Sequence, residues 1–257
     1  MTPPQADCCE WLAWDSEFFG IRIGRLRTNH LSSAIAEATD RWCAANAIDC
    51  LYFLAETNDQ ATIRHAETFG FELVDIRLTL ARSILPEQEM AVIPQGSTIR
   101  LALPSDLEPL RVIARSSYHD SRFYFDGRFP VEKCDSLYET WLEQSCAARS
   151  GVVLVAEWQG NPAGFVTCDS VDAVTGKIGL LGVGSSAQGV GLGRALVGSA
   201  TDWFRQQGFH RAQVVTQGRN VRAQAVYQRC GFVTQSVQLW YHRWFDEDSH
   251  GSRRIVG

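Results

Sequence analysis

The chain of 257 residues has no run approaching 18 uninterrupted apolar residues, which excludes a membrane-spanning helix. It has no excess of positive charge. With 29 acidic against 24 basic side chains the balance is -5, the wrong sign for a protein whose whole surface grips nucleic-acid phosphates. It has no Cys-x-x-Cys pair, and its eight cysteines (8, 9, 43, 50, 134, 146, 168 and 230) fall mostly in apolar-periodic stretches. Reduced, buried thiols are expected, and no metal site. The Met-Thr-Pro-Pro-Gln start carries neither a charged n-region nor an apolar h-region, so a cytoplasmic chain without membrane or nucleic-acid partners is expected. What is present is 45% hydrophobic residues, including 8 Trp and 13 Phe, enough to bury a core in one large domain or two modest ones.

Residues 86–97, with two prolines and a glycine among polar residues, read as a linker between two domains, 1–85 and 98–244, followed by a polar tail, 245–257. After the linker, Thr98 to Ala102 reads as a strand and Ser105 to Glu108 as a capping box opening a helix through about Ser117. Tyr118 to Pro130 reads as a polar, aromatic loop and Val131 to Ala148 as a helix. A hairpin turning at Gln159 to Pro162 follows, then strand, helix, strand, helix and strand to Trp244.

An internal repeat runs through this pattern. Asn58-x-x-Ala61-x-x-x-His65 followed by Gly70-Phe71 parallels Asn220-x-x-Ala223-x-x-x-Tyr227 followed by Gly231-Phe232. The offset is 162 residues from Asn58 to Asn220 and 161 from Gly70 to Gly231, so one residue of slippage is needed. The first half therefore reads as a shorter copy of the second. The second copy alone has a glycine loop, Gln188-Gly189-Val190-Gly191-Leu192-Gly193; Thr28 to Ser33 stands in its place in the first.

A glycine loop between a buried strand and a helix gathers backbone N–H groups at the helix N-terminus, where a diphosphate is favoured. Gly193 is followed by Arg194-Ala195 and not by Lys-Ser/Thr, which excludes a Walker loop. Gly189, Gly191 and Gly193 alternate, and position 211 is Arg where a dinucleotide fold needs an acid, so nicotinamide chemistry is excluded as well.

The loop fits the Gln/Arg-x-x-Gly-x-Gly/Ala motif at every position, and with Asn220, Ala223, Tyr227, Gly231 and Phe232 about 30 residues on, residues 98–244 resemble the GNAT superfamily of acyl-CoA-dependent N-acyltransferases. Trp14 to Gly20, Ser121-Arg122-Phe123, Tyr138-x-x-Trp141 and Ile178 to Leu181 are similar to the branch that N-acetylates a nucleotide-linked 4-amino-4,6-dideoxyhexose. The resemblance implies an α/β (α+β) GNAT fold behind a partial, degenerate GNAT-like N-terminal domain. It implies an enzyme using acetyl-CoA and a small amine acceptor, a TDP-linked amino sugar, and a homodimer is an expectation of the same kind. A protein N-terminus, an amino acid or another small amine is the alternative acceptor, and an acyl-CoA-binding protein without turnover the alternative class.

The resemblance also implies residue roles. Strand Leu180 to Val183 would splay from its neighbour and pair its backbone with the pantetheine arm through Leu181, Gly182 and Val183, the Val183 N–H polarising the thioester carbonyl. Gln188, Gly189, Val190, Gly191, Leu192 and Gly193 would cradle the diphosphate, with Arg194 beside them or simply solvated. Tyr227 would be the general acid, or a packed core aromatic; Asn220, two helical turns before it on nearly the same face, would meet CoA or only cap its helix. Ser121, Arg122, Phe123 and Tyr124, joined by Phe19, would bind the acceptor. For Arg122 a fold-stabilising ion pair is the alternative, and for Phe19 an aromatic core. Glu139, Glu143, His119 and Asp120 are all conceivable bases, and none is singled out.

Overall fold

The computed structural model describes residues 8–87, 91–148 and 150–245. The tail Asp246–Gly257 and part of the linker therefore lie outside the described residues. Contacts divide the chain into two units. The first comprises the described parts of Met1–Arg77, Arg122–Lys133 and Val237–Gly257, and the second those of Leu78–Ser121 and Cys134–Ser236.

In chain order the elements are β1 (Cys9–Trp11), α1 (Ala13–Phe19), β2 (Ile23–Leu26), α2 (Ser33–Ala45), β3 (Cys50–Glu56), α3 (Gln60–Thr68), β4 (Glu72–Ser83), β5 (Ser97–Leu101), α4 (Leu107–Ser117), α5 (Arg122–Asp126), α6 (Val131–Ala147), β6 (Val152–Trp158), β7 (Asn161–Ser170), β8 (Thr175–Val183), α7 (Leu192–Gln206), β9 (Arg211–Gln217), α8 (Val221–Arg229) and β10 (Val233–Trp244). The α/β pattern and the hairpin turn are as expected. Gln159 and Gly160 both take positive φ between paired Trp158 and Asn161, a two-residue turn whose twist matches the strands.

Two expectations fail locally. Ser105 does not cap α4; instead Asp106 accepts the Leu103 N–H (2.7 Å) and pairs with Arg100 (2.6 Å), because an arginine on the adjacent strand outcompetes a local box. The Tyr118–Pro130 loop contains the short helix α5 and buries Phe123 and Phe129, the aromatic content overriding the polar signal. The linker is also not a free strap: the Ala91 N–H donates to Asp202 of α7 (2.9 Å).

The repeat is physical, and its register is corrected. β2-α2-β3-α3-β4 and β8-α7-β9-α8-β10 are the same succession of elements. The helix caps are Asp59, accepting from Thr62 N–H, and Asn220, accepting from Ala223 N–H. The Phe71 N–H bonds to the Ala66 carbonyl as the Phe232 N–H does to that of Tyr227. All of these pairs are 161 residues apart, so no slippage exists and Ala66, not His65, is the counterpart of Tyr227.

The last strand of each copy pairs with the other copy's middle strand. In the first unit the strand order is β1-β2-β3-β10-β4, with β10 antiparallel to β3 from Gln238↔Glu56 to Trp244↔Cys50. In the second it is β4-β9-β8-β7-β6-β5. The units thus follow sheet pairing and not the linear order 1–85, 98–244. In the second unit α7 lays Leu192, Leu196, Val197, Ala200 and Phe204 onto the sheet, and Gly176 is required because a Cβ there would lie 2.2 Å from the Phe204 ring.

Candidate active site

The second unit contains an interrupted sheet. β8 and β9 run parallel from Thr175↔Arg211 to Ile178↔Val214, and the ladder ends there although both strands continue, to Val183 and Gln217. A bulge sets the break: the β7–β8 register shifts between Val166 and Cys168, the Leu180 N–H donates to Thr167 Oγ1 (2.8 Å), and a Cβ on Gly179 would lie 2.6 Å from that oxygen. Below the bulge, the Gly184 N–H donates to the Ala163 carbonyl on β7 (2.8 Å). Successive N–H groups alternate between the two edges of a strand, so those of Val183 and Leu181 face the opened β9 side, whereas that of Gly182 faces β7. The end of the ladder leaves a gap beside β8 with two backbone donors turned into it.

β8 leads through Ser185–Ala187 into the glycine loop. Gly189 (φ 84°) and Gly191 (φ 96°) occupy the left-handed region, and Gly191 caps α7 without a side chain. Only the Ala195 N–H returns to the Gly191 carbonyl (3.1 Å), so the first-turn N–H groups of Leu192, Gly193 and Arg194 are left for an anion. Arg194 is exposed and has no ion pair among the described residues. The Gln188 side chain is anchored at both ends: its Nε2 donates to the Val183 carbonyl (3.2 Å) and its Oε1 accepts from Arg222 (2.9 Å). Arg222 is a cation beside the loop that sequence reading missed; only its place one turn into α8, next to the capping Asn220, could have pointed to it. The fit to a diphosphate is good: open helical donors, two cations, and no carboxylate paired with either among the described residues.

Tyr227 lies on α8 with its ring buried against the second unit's core, and burial, followed by the nearby Cys230 thiol, pushes its phenol well above the usual value. Its hydroxyl makes no hydrogen bond among the described residues and is protonated at neutral pH, as a proton donor must be. Asn220 Oδ1 is committed to the cap, leaving its amide N–H groups for a ligand. Glu139 and Glu143 are held by Arg111 (3.1 and 3.2 Å), Glu139 also by Arg115 (3.4 Å). These carboxylates are tied up in ion pairs between α4 and α6.

The residues expected at the acceptor do not all share one setting. Ser121 is in the second unit, its buried Oγ unpartnered. Phe19 and Phe123 stack 5.3 Å apart inside the first unit, the core alternative. Arg122, half-buried, spreads its guanidinium over Tyr52, Trp240 and Phe123, with centroids 4.2–4.5 Å away, and its Nη1 is 3.4 Å from His242 Nε2. It forms no ion pair among the described residues, though Asp15 lies within its electrostatic reach. Tyr124 follows it on α5, partly exposed. All eight cysteines are free thiols, five of them buried. No metal-holding cluster and no helix long and apolar enough to cross a membrane occur among the described residues.

Comparison with known proteins agrees with this geometry. Residues 116–232 match the acetyltransferase (GNAT) family. A mycothiol acetyltransferase from Beutenbergia cavernae is 37% identical over 108 residues, 40% of this chain but only 33% of that protein. The dTDP-fucosamine acetyltransferase of Escherichia coli O6:H1 is 25% identical over 237 residues, 91% of this chain and 97% of that protein. In fold, a GCN5-related N-acetyltransferase from Sphaerobacter thermophilus superposes with a TM-score of 0.65 at 14% identity, covering 92% of this chain and 76% of its own. Residues 116–232 therefore correspond to an acetyltransferase domain of the GNAT kind, and the comparisons support acetyl transfer from acetyl-CoA.

Proposed function

We infer that the protein transfers acetyl from acetyl-CoA directly to the amine of a nucleotide-linked amino-dideoxy sugar. For the acetyl half, the carrying observation is the gap beside β8, with the Leu181 and Val183 amides turned into it and an uncapped helix N-terminus at its end. For the acceptor half it is the alignment of nearly the whole chain with a dTDP-fucosamine acetyltransferase.

When bound, acetyl-CoA supplies an acetyl group already activated as a thioester. The Leu192, Gly193 and Arg194 N–H groups, with the Arg194 and Arg222 side chains, hold its diphosphate. The Val183 amide polarises the carbonyl. Tyr227 delivers its phenolic proton to the sulfur as the C–S bond breaks and the amine nitrogen bonds to the acetyl carbon; the proton shed by nitrogen passes to water, from which Tyr227 is reprotonated. The amine approaches from the α6 side, where an open cleft of about 460 Å³ between Trp141, Ser145, Thr167 and Lys177 reaches Gly179 and Leu180 at the bulge. The opposite face is closed by α7.

A second reading, a small amine acceptor without a nucleotide, is favoured by the 37% identity with a mycothiol acetyltransferase. Thiol release from acetyl-CoA with a panel of amines separates the two. The TDP-linked amino sugar is expected to be the best acceptor, with free TDP competing against it. Efficient acetylation of a simple amine, with no inhibition by millimolar TDP, sinks the nucleotide-sugar reading.

A further inference from the structure

Tyr118 ends α4, and its ring stacks on Tyr138 of α6 with centroids 4.2 Å apart and planes 15° from parallel. Its hydroxyl oxygen is buried and makes no hydrogen bond among the described residues. Buried polar groups are nearly always paired, and an orphan in a rigid setting is a sign that a partner arrives from outside. The surroundings say which partner. The phenol interacts with that of Tyr227 and with the Leu181 amide, which approaches its oxygen without closing a bond of good geometry. Leu181 is one of the two residues whose N–H faces the gap beside β8, and the next such N–H along that edge is Val183. Tyr118 therefore lies on the α4–α6 side beside the edge of β8 that the ladder leaves open, with Tyr227 of α8 nearby.

We propose that Tyr118 is a further catalytic residue: its hydroxyl donates a hydrogen bond to the thioester carbonyl oxygen, beside the Val183 amide. This rests on the acetyl-transfer reading above. The sulfur and the carbonyl oxygen sit on the same carbon, so a phenol that faces both Tyr227 and the exposed edge of β8 is placed for that oxygen. Negative charge collects there as the amine attacks, and a fixed donor held in a dry site stabilises it without giving up its proton. Burial, with Tyr227 and Tyr138 nearby, favours the neutral phenol, the form that can donate. The stack on Tyr138 fixes the ring in advance.

The test is Tyr118→Phe, which keeps the stack and removes only the hydroxyl. The expected result is a fall in kcat of about 10²-fold or more, with acetyl-CoA affinity by calorimetry within a few-fold of wild type. The melting temperature should be unchanged or higher, since the lost group has no partner in the protein. A second readout needs no turnover: S-acetonyl-CoA, a ketone analogue labelled with ¹³C at the carbonyl, is bound and its infrared stretch recorded. That band should shift to higher wavenumber in Tyr118→Phe, reporting the lost donor, and hold its place in Cys146→Ser, an exposed cysteine outside the site. A kcat within twofold of wild type, or a carbonyl band that does not move, overturns the proposal. So does a lower melting temperature that accounts for the lost rate. If wild type acetylates no amine, the functional reading fails on its own, whereas the analogue's band still reports whether Tyr118 reaches the carbonyl.

Discussion

At His242 three constraints meet on one buried imidazole. Its Nδ1 donates to Asp126 Oδ2 (2.5 Å), its Nε2 faces Arg122, and its ring stacks on Tyr52 at 4.6 Å. The Arg122 N–H needs an acceptor, so Nε2 is unprotonated and the ring neutral. Burial lowers the pKa from 6.5 to about 4, Asp126 opposing the shift and Arg122 adding to it. The unfolded chain thus binds a proton between pH 6.5 and 4 that the folded one refuses. By linkage, stability is present above about 6.5 and drains as pH falls towards 4, at a cost of about 3 kcal/mol over the window. Asp126 is itself held below the usual carboxylate range, so its own loss begins only at lower pH. Urea unfolding midpoints should fall across pH 6.5 to 4 in wild type. His242→Asn, which can keep the donor to Asp126 without titrating, should lose most of that slope. A wild-type midpoint that stays level, or an equal fall in the variant, removes the account.

Among the elements, α7 concentrates what the proposed acetyl-CoA site needs, and its start is where one side chain should matter most. Gly191 takes φ 96°, and a Cβ there would already lie 3.3 Å from Pro94 Cγ. Gly191→Asp adds backbone strain and sets a carboxylate over the open N–H groups of the first turn, where it competes with a diphosphate. Acetyl-CoA affinity is expected to fall at least tenfold in a calorimetric titration while far-UV circular dichroism stays native; unchanged affinity would remove the loop from the binding site. This element was legible in the sequence because its signals are local: glycines, a buried strand before them, a 3.6-residue apolar period after them. The same holds for Asn220 and Tyr227, fixed by a short motif on one helix. What the sequence hid is non-local. Tyr118 and Arg222 gain meaning only from residues 63 and 34 positions away, Leu181 and Gln188, and no periodicity reports that pairing. The 162-residue offset misled for the opposite reason. Two asparagines looked equivalent, but the side chain that caps α3 is Asp59, and the hydrogen bonds at both helix ends fix the offset at 161.

For the whole molecule, two copies of one chain pattern raise the question of how many acetyl-CoA molecules bind. Each of the two features on which the proposed cradle of the second copy rests is filled from within in the first. The β2–β3 ladder stops at Arg25↔Tyr52, as β8–β9 stops early. There, however, the freed edge of β3 is taken by Asn29, whose Nδ2 donates to the Leu54 carbonyl (2.7 Å) and whose carbonyl accepts the Glu56 N–H (3.2 Å). The helix that follows is capped by a side chain, Ser32 Oγ accepting from the Ile35 N–H (3.3 Å), where α7 has only Gly191. A pantetheine arm would have to displace Asn29 from two backbone hydrogen bonds, and a diphosphate would meet a capped helix end in a loop whose side chains stand where glycines would let it approach. The exchange of final strands gives the first copy its use: β10 completes the sheet beside β3 and carries Trp240 and His242 to Arg122. Calorimetric titration of the full chain should therefore saturate at one acetyl-CoA per chain, and Gly191→Asp should weaken that single event without exposing a second. A stoichiometry of two would mean that Asn29 and Ser32 yield their hydrogen bonds to a ligand, and that the first copy has kept a working cradle.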